Sequence, residues 1–96
     1  MIIQTVKFET SLQEEEVMAI ARNRADDFRA LPGLIQKYYV KLARPNHYGG
    51  VYLWDSMESL NAFRASELAA SIPAAYKVVG TPEIEILESV FTLRDE

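Results

Sequence analysis

Periodicity restricts this chain more than any other feature. Two stretches with apolar residues at helical spacing are set among four stretches of strand-like alternation, with no linker, repeat or low-complexity segment between them. Residues 1–9 alternate around Ile3, Val6 and Phe8 and read as a first strand. Ser11 then opens a helix, with Glu14 placed to complete a capping box and Glu14, Glu15 and Glu16 suited to the positive end of its dipole. Val17, Ile20, Ala21, Ala25, Phe28 and Leu31 give that helix one apolar stripe, and Pro32-Gly33 stops it. Residues 34–42 favour extended structure through Tyr38, Tyr39 and Val40, residues 43–48 turn at Pro45-Asn46, and residues 49–54 return as the next strand. Asp55 or Ser56 caps a second helix with the stripe Met57, Leu60, Phe63. Ser71-Ile72-Pro73 is expected to start a short helix through Val79, which Gly80-Thr81-Pro82 ends. Residues 83–92 form the last strand, with Ile84, Ile86 and Val90 set against Glu83 and Glu85, and Arg94-Asp95-Glu96 is a polar tail. The order β-α-β-β-α-β predicts one α+β domain over residues 1–96, a ferredoxin-like antiparallel sheet with two helices on one face. A Rossmann unit fits less well, because no glycine-rich loop follows the first strand.

Composition then removes whole classes of function. The chain has no cysteine, so disulfides and thiolate chemistry are out, and its single histidine, His47, argues against a transition-metal site. A net charge of −4 with dispersed Lys and Arg offers no basic face to nucleic acid or to an anionic membrane. The amino terminus lacks a signal-peptide pattern and the apolar runs are too short to span a bilayer, so the expected location is cytoplasmic.

The segment Gly49-Gly50-Val51-Tyr52-Leu53-Trp54-Asp55-Ser56 is a strand running straight into a helix cap, with Tyr52 and Trp54 on one side of it. Both faces of the middle hairpin carry large apolar groups, whereas two helices cover only one. At about 25 cal/mol per Å², leaving a Trp and several Tyr wet would forgo several kcal/mol. The expectation is therefore a homodimer in which two copies cover each other's aromatic surface, or a ligand pocket there.

Leu31-Pro32-Gly33-Leu34-Ile35-Gln36-Lys37 resembles the helix end and lysine-bearing strand of the YdhR-type mono-oxygenases, and Gly49-Gly50-Val51-Tyr52-Leu53-Trp54 resembles their Gly-Gly-Ile-Tyr-Leu-Phe strand. The resemblance implies membership of the dimeric α/β-barrel superfamily: a homodimer whose sheets pack into a barrel, with a pocket between helices and sheet in each subunit. It also implies oxidation of a small aromatic or enolisable molecule by oxygen without metal, flavin or other cofactor. Many relatives carry a His just before an Arg on the second helix, where this chain has Phe63-Arg64.

Such a reaction needs a base, donors for the resulting oxyanion and a dry pocket. His47 is the side chain whose ordinary pKa suits a base, although turn residues are commonly solvated. Tyr52 and Trp54 complete the candidate catalytic set as hydrogen-bond donors, with interface packing as their alternative role. Phe28, Tyr39, Phe63 and Arg64 are the candidate substrate-binding residues. Two other readings use the same scaffold: a non-catalytic small-molecule-binding dimer, and a proton-transfer isomerase or lactonase.

Overall fold

A computed structural model describes residues 1–94, so Asp95 and Glu96 of the expected polar tail lie outside the described residues. The elements are β1 (Ile2–Thr10), α1 (Glu14–Arg29), β2 (Leu34–Lys41), β3 (His47–Trp54), α2 (Met57–Arg64), α3 (Glu67–Ala75) and β4 (Val78–Glu88). The strands form one sheet in the order β2-β3-β1-β4, and all three strand pairs are antiparallel. This is the ferredoxin-like α+β plan that the periodicity predicts.

Helix α1 begins later than Ser11. Its cap is Gln13, whose backbone N–H donates to Glu16 Oε1 at 3.0 Å, so the capping box sits two residues further along. Ser56 caps α2 by accepting the Ser59 N–H at 3.2 Å. The helical region after it breaks at Ala65, and Ser66 starts α3 by accepting the Ala69 N–H at 3.2 Å. Pro73 therefore sits inside α3 near its end and does not open a helix. The chain then turns at Lys77, a non-glycine residue with φ 48°, directly into β4.

The last strand also differs from expectation. Gly80-Thr81-Pro82 lies within β4, whose pairing with β1 shifts register between Lys7 and Glu9. Gly80 takes φ +73° at this irregularity, a conformation that costs glycine no steric penalty. Pro82 is tolerated because β4 is an edge strand. Val90 falls beyond the strand and is exposed, as are Phe91 and Leu93.

The core occupies the helix side of the sheet. Ile2, Tyr52 and Trp54 pack with Phe28 of α1 and Leu60 and Phe63 of α2, and Phe8 and Tyr48 pack with Val17 and Tyr76. This corrects the expected placement of the aromatic pair. Tyr52 and Trp54 lie under the helices of their own chain, and Trp54 is 0% exposed without any second copy. The physical reason is strand parity: β3 carries apolar residues on both faces, and the helices cover Tyr48, Tyr52 and Trp54, leaving Val51 and Leu53 on the other side.

Candidate active site

The site is built around a lysine that a strand irregularity turns inward. Strict alternation from Leu34 would send Lys37 to the open face of the sheet. Instead the pairing of β2 with β3 shifts between Leu34 and Gln36, so Leu34 lies opposite Trp54 and Lys37 opposite Tyr52. Lys37 and Tyr39 therefore share the helix side with Tyr52. The Lys37 ammonium lies 3.5 Å from the Phe28 ring centroid, 4.3 Å from that of Tyr39 and 4.7 Å from that of Tyr52. Gly50, opposite Tyr39, leaves room for this arrangement: a Cβ there would stand 3.1 Å from Tyr52 Cε1 and 3.3 Å from Lys37 Cε.

Charge in this box is unbalanced. Burial, reinforced by the Arg24 guanidinium, lowers the pKa of Lys37 to about 7. The three ring faces offset part of that desolvation cost by attracting the ammonium. Arg24 Nη2 donates to Ser71 Oγ at 2.7 Å, while Arg24 Nε is buried without a hydrogen-bond partner. The exposed cations Arg29 and Lys41 are paired, with Asp26 and Glu14 respectively. Among the described residues, no carboxylate pairs with Lys37 or Arg24. Burial also raises the phenol pKa values of Tyr52, Tyr39 and Tyr76, keeping these hydroxyls protonated as donors.

Two cavities meet at Lys37 and Tyr39, which line both. The inner one lies between α1, α3 and the sheet, is lined also by Met18, Tyr48, Tyr52 and Tyr76, and has about 30 Å³, enough for one water. The outer one opens between α1 and the β2 edge beside Phe28, Arg29 and Leu34, and has about 280 Å³. That places it at the low end of ligand-sized sites. An aromatic box whose lysine has no carboxylate partner among the described residues, with the Arg24 guanidinium acting on it from outside the cavities, favours an anionic, planar guest. A lysine with a pKa near neutrality can also exchange a proton with it.

The structure brings together Phe28, Tyr39 and Tyr52 of the sequence-predicted residues. Trp54 and Phe63 stand behind them: Trp54 stacks on Tyr52 with ring centroids 6.2 Å apart, and Phe63 lies 5.6 Å from Tyr52. The Trp54 indole N–H already donates to Gln4 Oε1 at 3.0 Å in the core and is not free for a ligand. Arg64 is exposed in the last turn of α2 and lines neither cavity. His47 pairs with Glu9 at the start of β3, with parity opposite to Tyr48, and its Nδ1 lies 2.8 Å from the Pro45 carbonyl oxygen. It does not join the box. Accordingly, His47→Ala is expected to leave ligand affinity within twofold of the parent, as measured by fluorescence titration.

Lys37 and Arg24 are the residues that sequence reasoning missed. The available signal was the pair Lys37-X-Tyr39, which must share a face whichever face that is. Among the described residues, no group of three or more His, Cys, Asp or Glu is placed to hold a metal ion.

Comparison with known proteins agrees with this architecture. The family model described as "Putative mono-oxygenase ydhR" matches residues 2–94. No curated protein matches the sequence. Among solved structures, NE2512 of Nitrosomonas europaea, a protein of unknown function, superposes with a TM-score of 0.78 at 17% identity, covering 99% of this chain and 94% of that one. SnoaB of Streptomyces nogalater, a cofactor-independent oxygenase, gives a TM-score of 0.78 at 16% identity over 98% of this chain and 97% of its own. Rv0793 of Mycobacterium tuberculosis gives 0.74 at 12% identity over 97% and 98%. At these identities the likeness is one of fold.

Proposed function

The chain belongs to this mono-oxygenase family, and on that premise we propose that it oxygenates a small aromatic or enolisable molecule without metal or flavin, in the cavity between α1 and the β2 edge. The observation that carries the reading is the aromatic box holding Lys37 beside Arg24 with no balancing carboxylate among the described residues. A substrate carbanion or phenolate gives an electron to oxygen only once its proton has left, and a cationic, desolvated site lowers the cost of that ionisation. Phe28 and Tyr39 supply apolar walls, with Tyr52 beyond Lys37 in the inner cavity, and the Tyr hydroxyls supply donors for the developing oxyanion.

The active form in this reading is a homodimer. The open face of the sheet presents Ile3, Val51, Leu53, Val40 and Leu87, with Tyr38 still 50% exposed. A second copy related by a two-fold axis covers such a face with the same surface. Sedimentation at micromolar concentration is expected to give twice the mass of one chain, and a lone chain would remove the dimer from the proposal.

Because Trp54 stacks on Tyr52, which lines the box, its emission reports on an occupied site. Titration with anthrones and hydroquinones is expected to quench it saturably and to be accompanied by oxygen uptake. Saturable quenching with no oxygen consumed would favour the proton-transfer isomerase or the binding module. No response to any aromatic ligand would reject a small-molecule site.

A further inference from the structure

Resting on the pocket just proposed, we infer that Lys37 is the proton acceptor of this site, so that the chain selects weakly acidic phenols and enols and holds them as anions against the Lys37 ammonium and Arg24.

Several observations converge on this role. Lys37 Nζ stands at the wall common to the inner and outer cavities, so a guest entering beside Phe28 reaches it together with Tyr39. The charged or titratable groups packed around it are Arg24 and Arg29 from α1, Tyr39 from β2, Tyr48 and Tyr52 from β3, and Tyr76 at the end of α3. The arginines present only N–H donors, and burial pushes the phenols of Tyr39, Tyr52 and Tyr76 further from giving up their protons. Lys37 is left as the group able to take a proton, because its burial and the nearby guanidinium hold part of its population neutral near pH 7. Finally, α2 presents Phe63 to the core, so that helix contributes no base of its own there.

The step balances without an oxidant. The ligand's O–H or α-C–H bond breaks, an N–H bond forms at Lys37 Nζ, and the electron pair stays on the ligand as a phenolate or enolate. The new ammonium then lies against that anion, with Arg24 supplying further positive charge. Oxygen enters only afterwards, so the proton step can be measured in its absence.

The test counts protons. At pH 8.5, 4-nitrophenol is already an anion and the Lys37 amine of the free protein is largely neutral. Calorimetric titration of the intact protein under nitrogen, in buffers of different ionisation heat, is expected to show uptake approaching one proton per bound 4-nitrophenolate. Lys37→Arg, which keeps the positive charge but has no proton to gain, is expected to retain affinity within about threefold while uptake falls to near zero. Lys37→Met is expected to lose binding by at least about tenfold, equivalent to one pKa unit of interaction. No binding by the parent, binding without proton uptake, or uptake that persists in Lys37→Arg would each overturn the assignment. Proton uptake without oxygen consumption by any aromatic substrate would keep Lys37 as acceptor and reject the oxygenase. Oxygen consumption without proton uptake would do the reverse.

Discussion

Trp54→Ala is expected to cost about 3–5 kcal/mol of folding stability, the range for emptying a large aromatic site in a core. The side chain is 0% exposed, and its ring lies 5.3 Å from that of Phe63 and 6.2 Å from that of Tyr52. Its removal also strands Gln4, which is only 2% exposed and whose Oε1 accepts the indole N–H. An unsatisfied buried acceptor adds about 1–3 kcal/mol. Against a total stability of about 5–15 kcal/mol for a domain, this change is expected to leave much of the protein unfolded at physiological temperature. Urea denaturation followed by circular dichroism measures the loss. Trp54→Phe keeps most of the packing and forfeits the donor, so its cost should be smaller. A loss below about 1 kcal/mol in the alanine variant would mean that the indole is not a core group.

The second large effect is a dependence of stability on alkaline pH. Lys37 has a pKa of about 7 in the fold against an ordinary 10.5 in the unfolded chain. Between those values the unfolded chain holds a proton that the native state does not, so stability rises with pH across this window. Below about pH 7 both states are protonated, and the fold carries the full penalty of burying an ammonium. At 1.36 kcal/mol per unit, stability is expected to increase by about 2 kcal/mol from pH 7 to pH 9. For a domain of this size that corresponds to a rise in Tm of roughly 8–16 °C. Lys37→Met should be more stable than the parent at pH 6 and should lack this rise. A parent profile that is flat between pH 7 and pH 9 would show that Lys37 keeps an ordinary pKa.

The sequence made the element order legible because each element has its own period. The stripe from Val17 to Leu31 can only be helical, and the alternation around Phe8 can only be extended. Facing was harder to read. β3 is apolar on both parities, so Val51 and Leu53 compete with Tyr52 and Trp54 for the core, and nothing local decides between them. Helix coverage decides it, and that is a tertiary fact. The same limit hid the site. Counted from Leu34, Lys37 belongs to the open face, but the register shift before Gln36 reverses it. Such an irregularity has no residue signature here, since Ile35 is an ordinary strand former. Proline and glycine misled in two places: Pro73 is absorbed near the end of α3, and Gly80-Thr81-Pro82 continues an edge strand.

The bareness of Gly50 keeps the inner cavity open beside Lys37. A single methyl group at that position would press on both the Tyr52 ring and the Lys37 stem, which would have to give by a few tenths of an ångström. The inner recess thus keeps its present width only while this position carries no side chain. One missing side chain therefore lets Tyr52 and Lys37 lie side by side on the helix face of the sheet.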